Sequence, residues 1–292
     1  MTDAHAPSTG PDAAAAASVQ PGAARLPSPV ALLAGQIGYQ ARLLASSGRA
    51  VAVGVGLPVI LMLASKGSAK DSHPNVAGYA VFGLTITAWT TYGVRLVAAR
   101  EAGILKRWRA TPLPRWCFFL AAIIATTLVA VLAGAVTVGA ALAFYGRHFD
   151  DGPGTDLTMR GGLAILVALI VAALAWTATA TAATSIIPTV EAAFPILILT
   201  YFPVVIVSGV LFSITEPHWL STLATYFPAQ PLIDQVTTAV RAAPGAPFLD
   251  TRDMTVLACW AVGGLAAAIL VFRWQPHRPA QRRPARPESR HD

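Results

Sequence analysis

Charge is what this chain has least of. Asp, Glu, Lys and Arg make up 12% of its 292 residues, about half the share an ordinary soluble domain carries. The shortage is concentrated. Ala50–Ser65, Val76–Val94, Trp116–Gly146, Gly161–Val190, Ala192–Thr215 and Met254–Phe272 contain no Asp, Glu, Lys, Arg or His. Carriers driven by ion gradients keep ionisable side chains at membrane depth as relays, so these empty runs argue against that class. Cysteine is scarce as well: Cys117 and Cys259 both lie in apolar runs, with no disulfide framework and no metal-ligand spacing. No Gly-x-x-x-x-Gly-Lys-Ser/Thr phosphate loop occurs, so the chain is not expected to use ATP by itself. His73, His148 and His218 stand singly, and Asp150, Asp151 and Asp156 form a loose group without a partner base. No catalytic constellation, cofactor site, metal site or nucleic-acid interface is expected. The few lysines (Lys66, Lys70 and Lys106) among many arginines point to a GC-rich bacterial source.

What the chain has in abundance is apolar surface: 55% of the residues are hydrophobic and the mean hydropathy is +0.58. About 20 helical residues cross the hydrocarbon of a bilayer, and five of the six runs are about that long or longer. The first is short and contains Gly54, Gly56 and Pro58. Helices satisfy their own backbone in lipid, and the short alternating segments of a transmembrane barrel are missing. The expected fold is therefore an all-α integral membrane protein with six spans, near 50–65, 76–97, 116–146, 161–187, 192–215 and 253–272. Pro195 and Pro203 should kink the fifth span. Residues 1–27, rich in Ala, Pro and Ser, read as a disordered cytoplasmic tail with no signal-peptide pattern. The membrane domain is expected over 28–272, followed by a basic tail, 273–292, whose six arginines could meet anionic headgroups or only fix orientation.

Basic residues mark the cytoplasmic face. Six spans divide them 15 to 6 in favour of the side holding both termini, which predicts cytoplasmic ends in a bacterial plasma membrane. Ser28–Arg49, ahead of the first span, mixes Leu33, Ile37 and Leu44 with Gln36, Gln40 and Arg42. It reads as an interfacial amphipathic helix or as an extension of span one.

Three segments could carry mechanism. Ala98–Trp116 lies on the cytoplasmic side, with Ile104, Leu105 and Trp108 on an apolar face and Arg100, Lys106, Arg107 and Arg109 on a basic one. Pro112 and Pro114 end it. Lipid anchoring and docking on a cytoplasmic partner both suit such a helix over 100–112. Glu216–Arg241, between spans five and six, holds Trp219, Phe227, Pro228, Pro231 and Arg241. Its aromatics favour an interfacial depth, either as helices dipping back into the outer face or as a surface loop. Thr87 and Thr91 on span two, and Thr177, Thr181 and Ser185 on span four, are candidates to line a path. Such hydroxyls more often bond their own helix or a neighbouring one.

The loop REAGILKRWRATPLP (Arg100–Pro114) closely resembles the loop between spans two and three of ABC-2 type permeases, the family of the daunorubicin-resistance permease. SGVLF (Ser208–Phe212), then Pro217, Trp219 and Leu220, then Phe227–Pro231 and Leu232–Arg241, is similar to that family's segment after span five. Where the family often has a second acid before the loop, this chain has Ala98 and Ala99. The resemblance covers roughly 28–272. It implies the membrane subunit of an exporter energised by a separate ATP-binding subunit, with a second permease copy as a homodimer partner (or a related permease) and membrane lipid around it. Arg100, Glu101, Leu105, Lys106, Arg107 and Trp108 would then form the coupling helix that meets the ATPase. Trp219, Phe227, Pro228, Pro231 and Arg241 would belong to an outer re-entrant hairpin. By analogy the cargo is a hydrophobic drug or antibiotic, with lipid or polysaccharide as alternatives and an autonomous carrier or membrane enzyme further off.

Overall fold

The computed structural model describes residues 28–65, 75–105, 115–145, 158–211, 218–240 and 248–271. All regular structure among them is helical. Helix α1 (Pro29–Ala45) starts at Ser28, whose hydroxyl accepts from the Ala31 N–H at 3.2 Å, with Pro29 preset for the first turn. A turn at Ser46–Ser47 separates it from α2 (Gly48–Ser65), and α1 packs along α4 (Arg115–Tyr145). It is therefore a helix in its own right and not an extension of the first span.

Helix α2 contains a π-turn at Ala52–Gly56, directly before Pro58. Proline cannot bond back to the carbonyl four residues earlier, and a wider turn there absorbs the mismatch. Helix α3 (residues 76–101) carries a second π-turn at Thr87–Thr91. The two helices cross at glycines. A methyl group on Gly54 would lie 2.3 Å from the Thr87 hydroxyl, and one on Gly83 would lie 2.8 Å from the Gly54 carbonyl.

Helices α4, α5 (Met159–Ile186), α6 (Val190–Val207), α7 (His218–Ala224), α8 (Ala229–Val240) and α9 (Thr251–Val271) complete the described chain. The helices at Gly48–Ser65, Cys117–Tyr145, Met159–Ile186, Val190–Val207 and Thr251–Val271 are long and apolar enough to cross a membrane. Helix α3, the expected second span, falls outside that group because Thr85, Thr87, Thr90, Thr91 and Tyr92 dilute its apolarity. Helix α6 stops at Val207, short of the end of its charge-free run, because Gly209 adopts φ +66° just beyond Ser208, the left-handed turn that ends many helices.

Helix α3 is the axis of the bundle. From Val76 to Ile86 every residue but Tyr79 is buried, and α4, α5, α6 and α8 pack around the helix. Its polar groups find partners there. The Thr85 and Tyr201 hydroxyls are 2.8 Å apart, Trp89 Nε1 donates to the Leu197 carbonyl at 3.0 Å, and the Tyr92 and Thr181 hydroxyls are 3.0 Å apart. Trp89 and Trp176 meet edge to face at 5.7 Å, and Trp176 meets Tyr201 at 6.0 Å, the geometry aromatic quadrupoles prefer. Helix α9 lies along α5, and there the small residues differ: Gly264 abuts Thr179, whereas Gly263 faces open space. The outer faces of α4, α6 and α9 expose Leu132, Leu199, Val262, Ile269 and Leu270, as lipid-facing helices do.

Candidate coupling site

The C-terminal end of α3 closes with a turn. The Ala102 N–H donates to the Ala98 carbonyl at 2.9 Å, the Gly103 N–H to the Arg100 carbonyl at 3.1 Å, and Gly103 takes φ +69°, a conformation that favours glycine. The helix resumes at Ile104 and Leu105. This turn brings two adjacent, oppositely charged side chains to the point where α5 hands over to α6. Between those helices lies a short link, Ile187–Thr189, in which Pro188 has no N–H and Thr189 accepts from the Ala192 N–H at 3.3 Å to cap α6.

Arg100 is buried, with 2% of its surface exposed. Its Nη1 donates to the Thr184 carbonyl at 3.0 Å and its Nη2 to the Ile187 carbonyl. These carbonyls belong to the last turn of α5, where Thr184 also accepts from the Ile187 N–H at 3.2 Å, and to the link. Glu101 is exposed, and its Oε2 accepts from the Val190 N–H, the first of α6, at 2.7 Å. The pair thus bonds backbone groups on both sides of the link, and each charge matches the helix end it touches: cation at the C-terminus of α5, anion at the N-terminus of α6.

Among the residues expected to meet a partner, the turn sorts inside from outside. Leu105 is fully buried and Arg100 nearly so, while Glu101 and Ile104 are exposed. This corrects the expectation that Leu105 fills a groove in another subunit: its apolar side chain already packs inside this chain. Ile104 holds the outward position. Lys106, Arg107 and Trp108 lie outside the described residues.

A family model described as ABC-2 family transporter protein matches residues 58–270. The chain belongs to that family. No curated protein matches it. The matched region runs from within α2 to the last turn of α9 and includes the Arg100–Glu101 pair. As an ABC-2 family member the chain is a permease component of an ABC transporter, and an all-α membrane protein.

The other candidate positions in this ABC-2 permease divide as follows. Thr87 is buried at the α2–α3 crossing and donates to the Gly83 carbonyl at 2.8 Å, and Thr91 is half-buried. Thr181 donates to the Thr177 carbonyl at 2.8 Å, Ser185 donates to the Thr181 carbonyl at 3.4 Å, and both are buried. Thr177 is fully buried, and its hydroxyl has no hydrogen-bond partner among the described residues. These hydroxyls face the interior of one chain, and Thr181 ties α5 to Tyr92 of α3.

In the segment after α6, Trp219 is exposed, Pro228 and Pro231 are buried, and Phe227 stacks on Trp260 at 6.2 Å. Arg241 lies outside the described residues. Sequence reasoning missed Gln235. Its amide donates to the Asp250 carbonyl at 3.1 Å and accepts from the Asp250 N–H at 3.3 Å, tying α8 to the start of α9. Asp250 Oδ1 in turn caps α9, accepting from the Arg252 and Asp253 N–H groups at 2.9 and 3.2 Å. Burial pushes the Asp234 carboxyl, one residue before Gln235, above its usual range, against the opposing effects of the Gln230 hydrogen bond and the Arg252 charge.

Proposed function

We propose that this ABC-2 permease is the membrane subunit of an ATP-driven exporter of hydrophobic small molecules, of the drug or antibiotic class. Two copies would work with two separate ATP-binding subunits in a bacterial plasma membrane, both termini cytoplasmic. The observation that carries this reading is the charged clasp of Arg100 and Glu101 on the α5–α6 link. A basic cytoplasmic segment that begins at so firm an attachment is built to receive force from a partner and pass it to membrane helices. An anchor that only rested on lipid would need no such connection.

The docking surface is assigned to exposed Ile104 with Trp108 as aromatic anchor, and Glu101, Lys106 and Arg107 at the rim. Truncating a buried aromatic anchor typically costs about 2 kcal/mol or more of binding, and an exposed charge pair about 0–1 kcal/mol. Trp108→Ala and Ile104→Asp should therefore abolish both co-purification of the ATP-binding subunit and efflux of a fluorescent hydrophobic drug, at normal permease levels in the membrane. Lipid anchoring predicts the reverse ranking, with the triple loss of Lys106, Arg107 and Arg109 the most damaging. Full subunit retention by the Trp108 and Ile104 variants removes the docking model. Topology is checked with single cysteines: Gly152 and Ala242 positions should react with an impermeant thiol reagent in intact cells, and Ala110 should not. A purified active complex whose mass holds one permease copy would refute the dimer.

A further inference from the structure

Between α1, α3 and α4, beside the 100–105 turn, lies a half-open cavity of about 550 Å³, within the range of small-molecule sites. Its walls are largely apolar, built from Leu43, Leu44, Leu96, Phe118 and Ala122, and it also receives the side chain of Arg95. No carboxylate is among its described lining residues. Three polar groups at this cavity are shielded from solvent and have no hydrogen-bond partner among the described residues: Arg95 Nη1, the Thr126 hydroxyl and the Gln36 side-chain oxygen. Thr126 is 1% exposed. A polar group shielded from solvent is costly to leave without a hydrogen bond, more so a charged one, and the shielded Nη1 of half-buried Arg95 calls for an anionic acceptor. Nothing among the described lining residues supplies one, because Ala98 and Ala99 stand where α3 could have presented an acid one turn beyond Arg95.

We infer that this cavity binds an anionic amphiphile, a phosphate-bearing lipid whose head pairs with Arg95 and Thr126 and whose tail lies along Leu43, Leu44 and Phe118. The combination decides the class. A free inorganic anion would leave the apolar wall uncovered, and a neutral apolar molecule would leave Arg95 Nη1 without an acceptor. The Gln36 oxygen can accept from a headgroup hydroxyl. Tyr39 and Leu43 are exposed at the rim, so α1 forms the side of the cavity through which the tail reaches the surrounding bilayer. The assignment rests on the cavity and not on the exporter reading.

The test uses the full chain, purified in detergent and examined by native mass spectrometry with dioctanoyl phosphatidylglycerol, dioctanoyl phosphatidylcholine and inorganic phosphate. The phosphatidylglycerol should bind at least tenfold more tightly than the phosphatidylcholine, and millimolar phosphate should not displace it. Arg95→Gln should weaken phosphatidylglycerol at least tenfold. Ala99→Glu keeps Arg95 but adds a carboxylate at i+4, within pairing reach on a helix. It should weaken the lipid to the same extent, and it keeps the test open if Arg95→Gln fails to fold. Equal binding of the two lipids, displacement by inorganic phosphate, or unchanged affinity in a folded variant would each overturn the assignment.

Discussion

The bundle is closed by a polar clasp at each end, and the two are built differently. At the end holding the 100–105 turn, charged Arg100 and Glu101 reach backbone groups 84, 87 and 89 positions away and join three helices. At the opposite end, the neutral amide of Gln235 reaches Asp250, 15 positions away, and joins consecutive helices. A long-range clasp fixes the relative placement of helices that have no covalent link nearby. A short-range one only sets how the chain turns between neighbours. Charge at the Arg100–Glu101 end adds strength because each sign sits on the complementary helix terminus. The Arg100–Glu101 clasp ties distant parts of the chain together, and the Gln235 clasp holds a corner.

Substitutions can break this comparison, beginning with the largest effect. Arg100→Ala strips the Ile187 carbonyl of its partner, leaves the Thr184 carbonyl only the Ile187 N–H, and should cost about 3 kcal/mol, read as a lowered midpoint in thermal unfolding of the detergent-purified chain. Transport should be lost even where protein remains, and Arg100→Lys should restore little because one ammonium cannot span both acceptors in a fixed fork. Next comes Gln235→Ala, which leaves the Asp250 N–H unpaired, while the Asp250 carbonyl keeps the Met254 N–H. The expected loss is about 2 kcal/mol, with coupling to the ATP-binding subunit intact in a co-purification assay. Glu101→Gln should cost about 0.5–1 kcal/mol yet impair transport more than Gln235→Ala does, which separates force transfer from stability. A result in which transport follows stability across all three sites would erase the distinction between the clasps. Smallest is the paired change at α9. Gly263→Ala faces open space and should stay within about 0.5 kcal/mol of the parent, while Gly264→Ala meets Thr179 and should cost about 1–3 kcal/mol.

Much of the fold is legible in the sequence, because a missing charge is a strong signal in a membrane protein. Helices occupy all six charge-free runs, and the weakest run, with Gly54 and Pro58, is where a π-turn interrupts α2. The site was legible only in part. Arg100 reads as one more member of a basic face, yet it points inward, because its acceptors are backbone carbonyls that leave no trace in residue type. Leu105 fits the apolar face of a docking helix, but an apolar residue beside a helix end packs as readily into its own chain. Gly264 was indistinguishable from Gly263 in an Ala-rich span, and only the approach of α5 separates them. The Gln235–Asp250 exchange pairs a side chain with a main chain, and no spacing rule announces such a contact.

The π-turn at Thr87–Thr91 also acts as a phase setter. It inserts one residue into α3 between Thr85, seated on Tyr201, and Arg100, seated on α5. Each residue of an α-helix advances the azimuth by about 100°. Deleting one residue within 87–91 would leave the Tyr201 half of the helix where it is and swing the guanidinium a little more than a quarter turn away from the Thr184 carbonyl. The angular registration of the whole C-terminal end is set by one surplus residue near the middle of the helix.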